Sequence, residues 1–408
     1  MENRNFPYVT VTRKAEKSLR GGHPWVFGEE ITALIGEYEN GDLVDVYTEG
    51  KKFLGTGFIN DHSKIRVRLL SRNANDKFDE AFFERRVRYA FAYRKTVMGD
   101  DFGNCRLIFG EADQFPGLTV DRFADVLVVQ TLSLGMEKRK PILFPLFIKV
   151  LSEMGERISA IYERNDVAIR ELEGMQQYTG FYAMPGLADA LDGHVSICEN
   201  GITYDVDYIN GQKTGFFLDQ KYNRAAVARL CPGKRVLDCF THTGAFALNA
   251  AQAGAMHVTA VDVSADAIAL ARANAVRNGL EGRMSFLCTD VFDLLTGMAA
   301  DGKREYDLII LDPPAFTKSS STVKNATRGY KEINMKAMKL LPRGGYLATC
   351  SCSHFMTETL FRKMLHDAAA DAGVSLRQIE ARQQSPDHPI LWNVPETEYL
   401  KFYIFQVV

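Results

Sequence analysis

The sequence predicts an α/β protein whose C-terminal half is a Rossmann-like domain with a parallel-rich sheet. A central α/β domain and a small N-terminal β-barrel-like module precede it. Three observations predict this. From residue 234 onward, strand-like and helix-like segments alternate with glycine turns between them. That is the pattern of a mostly parallel sheet with helices on both faces. Residues 1–72 read instead as short strands broken by glycine, and 77–190 mix a long helical segment with strands. A chain of 408 residues is also too long for one ordinary domain. The expected domains are 1–75, 76–190 and 191–408.

The elements follow in order. In the first domain, "GDLVDVYTEGKKFLGTGFIN" alternates as two strands around a Glu-Gly turn, and "KIRVRLLSR" (64–72) alternates basic and apolar residues. The latter suits a strand with one wet, positive face. Arg13, Lys14, Lys17, Arg20, Lys64, Arg66, Arg68 and Arg72 concentrate charge here, with Trp25 and Phe27 nearby. Phosphate contact plus base stacking would use such a surface, and so would a merely solvated face. The expected RNA-binding set is Arg13, Lys14, Arg20, Trp25, Arg66 and Arg68. Residues 77–98 carry apolar side chains at helical spacing, 104–131 are strand-like, a helix near 138–153 and a strand at 159–163 follow, and 194–209 suit a short hairpin.

In the C-terminal domain, "RVLDCF", "HVTAVDV", "MSFLCTD", "YDLIILDPP" and "GGYLATCSCS" read as strands. Ligands in such folds sit beyond the carboxyl ends of the strands. An acid stands at each of four strand ends: Asp238, Asp262, Asp290 and Asp312. One such Asp is readily explained as a helix N-cap. Four in register make a ligand site the better reading. In "VLDCFTHTGAFAL" (236–248), Gly244 lets the turn pass close to a ligand and opens a helix. Only one glycine lies between strand and helix, so this is not the dinucleotide G-x-G-x-x-G fingerprint, and a dehydrogenase is disfavoured. S-adenosylmethionine carries no diphosphate and needs no such cradle. The order of the acids is similar to that of class I methyltransferases. The expected cofactor contacts are Asp238, Phe240, Thr243, Gly244, Asp262, Asp290 and Asp312. Within them Asp262 accepts the ribose hydroxyls and Asp290 the adenine amino group.

Two further sites bear on what is methylated. "DPPAF" (312–316) is related to turns that present acceptors to an exocyclic nitrogen in amino-methyltransferases. "TCSCSHF" (349–355) ends a late strand with two cysteines, which an amino-methyltransferase does not need. C5 of cytosine or uracil is a poor nucleophile. A thiolate adding at C6 makes it a good one. Cys350 and Cys352 stand two apart on a strand, so alternation does not choose between them.

"NGQKTGFFLDQKYNR" (210–224), "VLDCFTHTGAF", "LDPPAF", "SCS" and "DHPI" (387–390) together resemble large-subunit rRNA cytosine-C5 methyltransferases with an N-terminal PUA domain. The resemblance covers nearly the whole chain. It implies an RNA-binding PUA barrel over 1–72, supported by "GHPWVF", and a central α/β domain over 77–190. It implies Cys352 as the nucleophile and Asp312 as the group holding cytosine by its N3/N4 edge. It implies Gln212 as a partner of the cofactor carboxylate, with Lys213, Thr214 and Gly215 as neighbours of the site. The family's second cysteine after the Asp-x-Pro turn is Ala315 here, which leaves the group freeing the product open.

Composition sets the remaining bounds. A net charge of −2 rules out a chain-wide basic field, so RNA must be held by local patches. Seven scattered cysteines without a CxxC suit a reduced cytoplasmic protein, and no metal is expected. Neither a signal peptide nor a membrane span is expected. The oligomeric state stays open, a homodimer included. Amino-methyl transfer through the DPPAF turn and a non-catalytic RNA-binding adaptor are the rival readings.

Overall fold

The computed structural model describes residues 4–302, 304–317 and 319–408. Three larger sheets and a hairpin are formed among them. The first sheet comprises β1 (Tyr8–Val11), β2 (Trp25–Phe27), β3 (Ile31–Ile35), β4 (Leu43–Thr48), β5 (Phe53–Ile59) and β6 (Ile65–Ser71). Its order is β2-β6-β5-β4-β1-β3, with only β1 and β4 parallel. Alternating valines, Val9, Val11, Val44, Val46 and Val67, fill its core together with Ala15 and Leu19.

Those last two belong to α1 (Arg13–Arg20), a helix where the sequence pattern predicts only strands. Thr12 caps it, its hydroxyl accepting from Ala15 N at 3.3 Å. Ala15 and Leu19 are four residues apart and face the sheet, while the rest of the helix is polar. Two apolar positions are too few to register as a helical period.

The second sheet comprises β7 (Asn104–Phe109), β8 (Leu118–Phe123), β9 (Val126–Thr131), β10 (Ala160–Asn165) and β11 (Tyr178–Phe181), ordered β11-β10-β9-β8-β7. With it pack α2 (Glu80–Met98), α3 (Leu134–Glu137), α4 (Lys140–Glu153) and α5 (Ile169–Leu172). Asp79 caps α2 by accepting from Phe82 N at 3.0 Å. Phe91 of α2 meets Phe147 of α4 with ring centroids 5.9 Å apart. A hairpin of β12 (His194–Glu199) and β13 (Ile202–Asp207) follows.

The third sheet comprises β14 (Arg235–Cys239), β15 (His257–Asp262), β16 (Met284–Cys288), β17 (Leu308–Leu311), β18 (Tyr346–Ser351), β19 (Leu376–Arg382) and β20 (Lys401–Val407). Its order is β16-β15-β14-β17-β18-β20-β19. The first five run parallel, whereas β20 is antiparallel to both β18 and β19. The helices of this part are α6 (Lys221–Ala228), α7 (Ala245–Gln252), α8 (Ala265–Arg277), α9 (Val291–Asp301), α10 (Val323–Leu340) and α11 (Glu358–Ala372). Strand order reverses between β14 and β17, which opens a crevice beyond their carboxyl ends. The architecture is the expected one: a parallel-rich Rossmann-like sheet after an α/β domain and a small β domain.

By compactness the chain divides into two units. One holds the residues up to Ile197, with Val206–Leu218 and Pro386–Thr397; the other holds Cys198–Asp205, Asp219–Ser385 and Glu398–Val408. Hence the first two sheets share a unit, and a late segment returns to it. Arg106 N donates to Asp387 Oδ2 at 2.8 Å, and the Arg94 guanidinium donates to the Asp387 carbonyl at 2.9 Å.

The same unit places the basic strand differently from the expectation. Arg68 on β6 is not on a wet face. Its guanidinium meets Glu111 at 3.3 Å and Glu173 at 2.8 Å and lies 5.6 Å from the Trp25 ring centroid. Trp25 Nε1 itself donates to Glu111 at 2.9 Å. Carboxylates from the second sheet's region thus cover that side of β6. Arg66 pairs with Asp61. Arg13, Lys14, Lys17 and Arg20 of α1 remain exposed, as do Lys64 and Arg72.

Candidate active site

The site is built at the carboxyl ends of β14, β15, β17 and β18, all within the second unit. In β14 the apolar Val236 and Leu237 lead to Asp238, which is 0% exposed. Its Oδ2 accepts from Thr241 Oγ1 at 2.6 Å and from Ala247 N, in the first turn of α7, at 3.0 Å. Its Oδ1 has no hydrogen-bond partner among the described residues. Burial, reinforced by Asp312 and Asp262, pushes this carboxyl up to about 7. A buried carboxylate with one unsatisfied oxygen costs stability, and it is a receptor for a cationic donor.

The loop after β14 is tightly wound. Phe240 (φ 64°) and His242 (φ 50°) both take left-handed backbone, as does Gly244 (φ 81°). A Cβ on Gly244 would stand 3.0 Å from that of Ala271 on α8, so side chains are excluded there by packing as well as by φ. Thr243 is buried in the same loop. His242 N donates to Asp262 Oδ2 at 2.9 Å, and Ser264 N to Asp262 Oδ1 at 3.0 Å. Asp262 thus ties the loop after β14 to the loop after β15, and two of its lone pairs are used in doing so. Asp290 is exposed and caps α9, its Oδ1 accepting from Phe292 N (2.7 Å) and Asp293 N (3.1 Å). Its N-cap role is real and leaves Oδ2 for another donor. Val263 (70% exposed) and Leu287 (39%) follow or end β15 and β16 as bare apolar side chains. Residue type and spacing do not mark them; only their exposure singles them out.

Asp312, Cys350 and Gln220 form one cluster. Cys350 Sγ donates to Asp312 Oδ1 at 2.9 Å, and Gln220 Nε2 donates to the same oxygen at 3.2 Å. Cys350 is 0% exposed, and burial, with Asp312 beside it, holds its thiol well above the usual range. It is a protonated donor that orients Asp312. Gln220 belongs to the 210–224 segment, and only its position opposite β17 and β18 marks it. Cys352 is different. β18 ends at Ser351, so Cys352 stands on the following turn, partly exposed. The equal-face argument from strand alternation therefore does not apply to the pair.

Gln212 lies in the first unit. Its segment is fixed by Thr214, whose hydroxyl donates to Asp121 Oδ2 at 2.6 Å, and by left-handed turns at Lys213 (φ 53°) and Gly215 (φ 122°). Among the described residues no group of three or more His, Cys, Asp or Glu side chains is placed to hold a metal ion. No helix among them is long and apolar enough to cross a membrane.

The cradle suits S-adenosylmethionine by its donor chemistry. A cationic ligand would meet an unsatisfied buried carboxylate oxygen, a glycine turn without a Cβ, and an acid at the end of the next strand.

Comparison with known proteins agrees with this geometry. Residues 9–72 match a PUA-like domain family and 174–405 an S-adenosylmethionine-dependent methyltransferase family. The chain is 38% identical over 405 residues to the ribosomal RNA large subunit methyltransferase I of Klebsiella pneumoniae (strain 342), covering 99% of each chain. It is 41% identical over 394 residues to the protein of that name from Pseudoalteromonas translucida, covering 96% of this chain and 97% of the other. A methyltransferase structure from Streptococcus mutans superposes with a TM-score of 0.81 at 23% identity, over 98% of this chain and all of that one. A methyltransferase complexed with SAH gives a TM-score of 0.83, again at 23% identity over 98% and 100%. The chain belongs to the S-adenosylmethionine-dependent methyltransferases that carry an N-terminal PUA-like domain.

Proposed function

We propose that the chain methylates C5 of a cytosine in large-subunit ribosomal RNA, in the cytoplasm, with Cys352 as a covalent nucleophile. One observation carries the chemistry. Of two nearby cysteines, one is buried and donates to Asp312, and the other stands partly exposed just past the strand end. The names of relatives that match over nearly the whole chain support the RNA class.

S-adenosylmethionine supplies an electrophilic methyl group when bound. Asp238, Phe240, Thr243, Gly244, Asp262 and Asp290 would hold it. The chain's own work is on the base. Asp312, oriented by Cys350 and Gln220, would accept from the cytosine N4 amino group and engage a protonated N3. Charge that enters the ring on thiol addition then finds a partner. Cys352 would add to C6 and raise electron density at C5.

RNA carrying 5-fluorocytosine tests the proposal, because its C5 fluorine cannot leave as a proton. Wild type and Cys350→Ala should trap an adduct stable on denaturing gels, and Cys352→Ala should trap none. Full methylation by Cys352→Ala would remove covalent catalysis and favour transfer to nitrogen through the DPPAF turn.

A further inference from the structure

Lys401 opens β20, and its partner across the ladder on β18 is Ser351, the residue before Cys352. The residue is 6% exposed. The ammonium donates to the Ser353 carbonyl at 2.6 Å and to the Tyr399 carbonyl at 2.8 Å. Lys401 therefore grips the backbone immediately after Cys352, and it brings a buried positive charge to that turn. Burial pushes its ammonium down to about 8. The groups that oppose this are Cys352 and Cys350 from β18 and the turn after it, Glu398 from the preceding loop, and Glu358 at the start of α11. Cys352 acts most strongly of the four. Bridging two carbonyls does not require a cation. A charge kept in so dry a place has a reason if an anion forms beside it.

We propose that Lys401 is a positioning residue that holds Cys352 as a thiolate and fixes the turn that presents it. This rests on the reading of Cys352 as the nucleophile. The Sγ–H proton leaves to solvent, and the thiolate pair forms the Sγ–C6 bond as the C5=C6 π pair moves onto C5. That pair takes up the methyl group that the cofactor supplies when bound, and the broken C–S bond's pair stays on the cofactor's sulfur. A base removes the C5 proton, the C–H pair restores C5=C6, and the Sγ–C6 pair returns to sulfur. Lys401 favours the same anion at the first step and at the last, so one charge serves both attack and release.

The test reads the thiol itself, without RNA or methyl transfer. Iodoacetamide labelling of the full chain is followed against pH, with fragmentation mass spectrometry separating Cys352 from Cys350. In Lys401→Met the Cys352 midpoint should rise by about one unit or more, roughly a tenfold slower reaction at pH 7. Lys401→Arg should keep the midpoint near that of wild type. Coincident midpoints for wild type and Lys401→Met would overturn the proposal. A second measurement does not depend on the Met variant folding. In protein labelled with 13C at lysine Cε, the Lys401 midpoint should fall when Cys352 is replaced by Ala, and an unchanged midpoint would overturn the proposal. A failed 5-fluorocytosine trap with a shifted thiol midpoint would count against the nucleophile reading and leave the ion pair standing.

Discussion

Asp238 carries a cost that a cationic ligand at its unpartnered oxygen would relieve. Its carboxyl is held at about 7 in the folded chain against an ordinary 3.8, mainly by burial. The folded state therefore keeps a proton that the unfolded chain releases above about pH 4. Stability from this group is full below that pH and falls as pH rises towards 7. Asp238→Asn should consequently stabilise the cofactor-free protein at pH 8, on the order of 1–3 kcal/mol, and the gain should vanish near pH 4. Thermal unfolding at the two pH values measures this. The same variant should bind S-adenosylmethionine about tenfold more weakly by calorimetry, since the orphaned oxygen is the one removed. Stabilisation without loss of affinity would place the cofactor's cation elsewhere.

At the scale of elements, α1 and β6 divide the basic residues of the first domain between two tasks. Along the sequence they look alike. In the fold, Arg68 is held by Glu111 and Glu173, while Arg13, Lys14, Lys17 and Arg20 project from a short helix. A phosphate backbone would meet the helix first. Charge reversal at Arg13 and Lys17 should weaken RNA binding and lower the slope of log affinity against log salt by about one for each phosphate no longer neutralised. Cofactor affinity should not change. Arg68→Ala should instead lower the unfolding temperature, because Glu173 stays buried with only the Asn60 amide donating to its carboxylate and no cation beside it, with a loss of about 3 kcal/mol. An RNA salt slope that falls for Arg68→Ala but not for the helix variant would reverse these roles.

At the scale of the molecule, the chain crosses between its two units several times. The segment Pro386–Thr397 comes from the end of the sequence and packs in the unit that contains the beginning. Asp387, fully buried there, accepts from Arg106 N at 2.8 Å and pairs with His388 Nδ1 at 2.9 Å. Asp387→Ala leaves a part-buried backbone donor on β7 without its Asp387 carboxylate, at a cost of about 1–3 kcal/mol. Hydrogen exchange should accelerate across β7 and β8, with β14–β18 unaffected. Uniform loss of protection in both units would mean that they unfold as one.

Much of this was legible in the sequence, because local rules govern it. Alternation of strand, glycine turn and helix announced the parallel sheet, and the acids at successive strand ends marked the ligand crevice. Such signals need only a few consecutive residues and the direction of a strand. The roles of the two cysteines were not legible, since β18 stops between them and only the end of a ladder decides which thiol is buried. Nor was Lys401: what sets it apart is its ladder partner on β18, 50 positions back in the sequence. The same holds for Arg68 and Trp25, basic and aromatic as RNA contacts should be, yet held by Glu111 and Glu173 from a later sheet region. Residue type and spacing determined the kind of fold, the cofactor and the candidate set. Tertiary structure alone decided which of those side chains face solvent, because burial and charge pairing depend on neighbours that the chain brings in from far along its length.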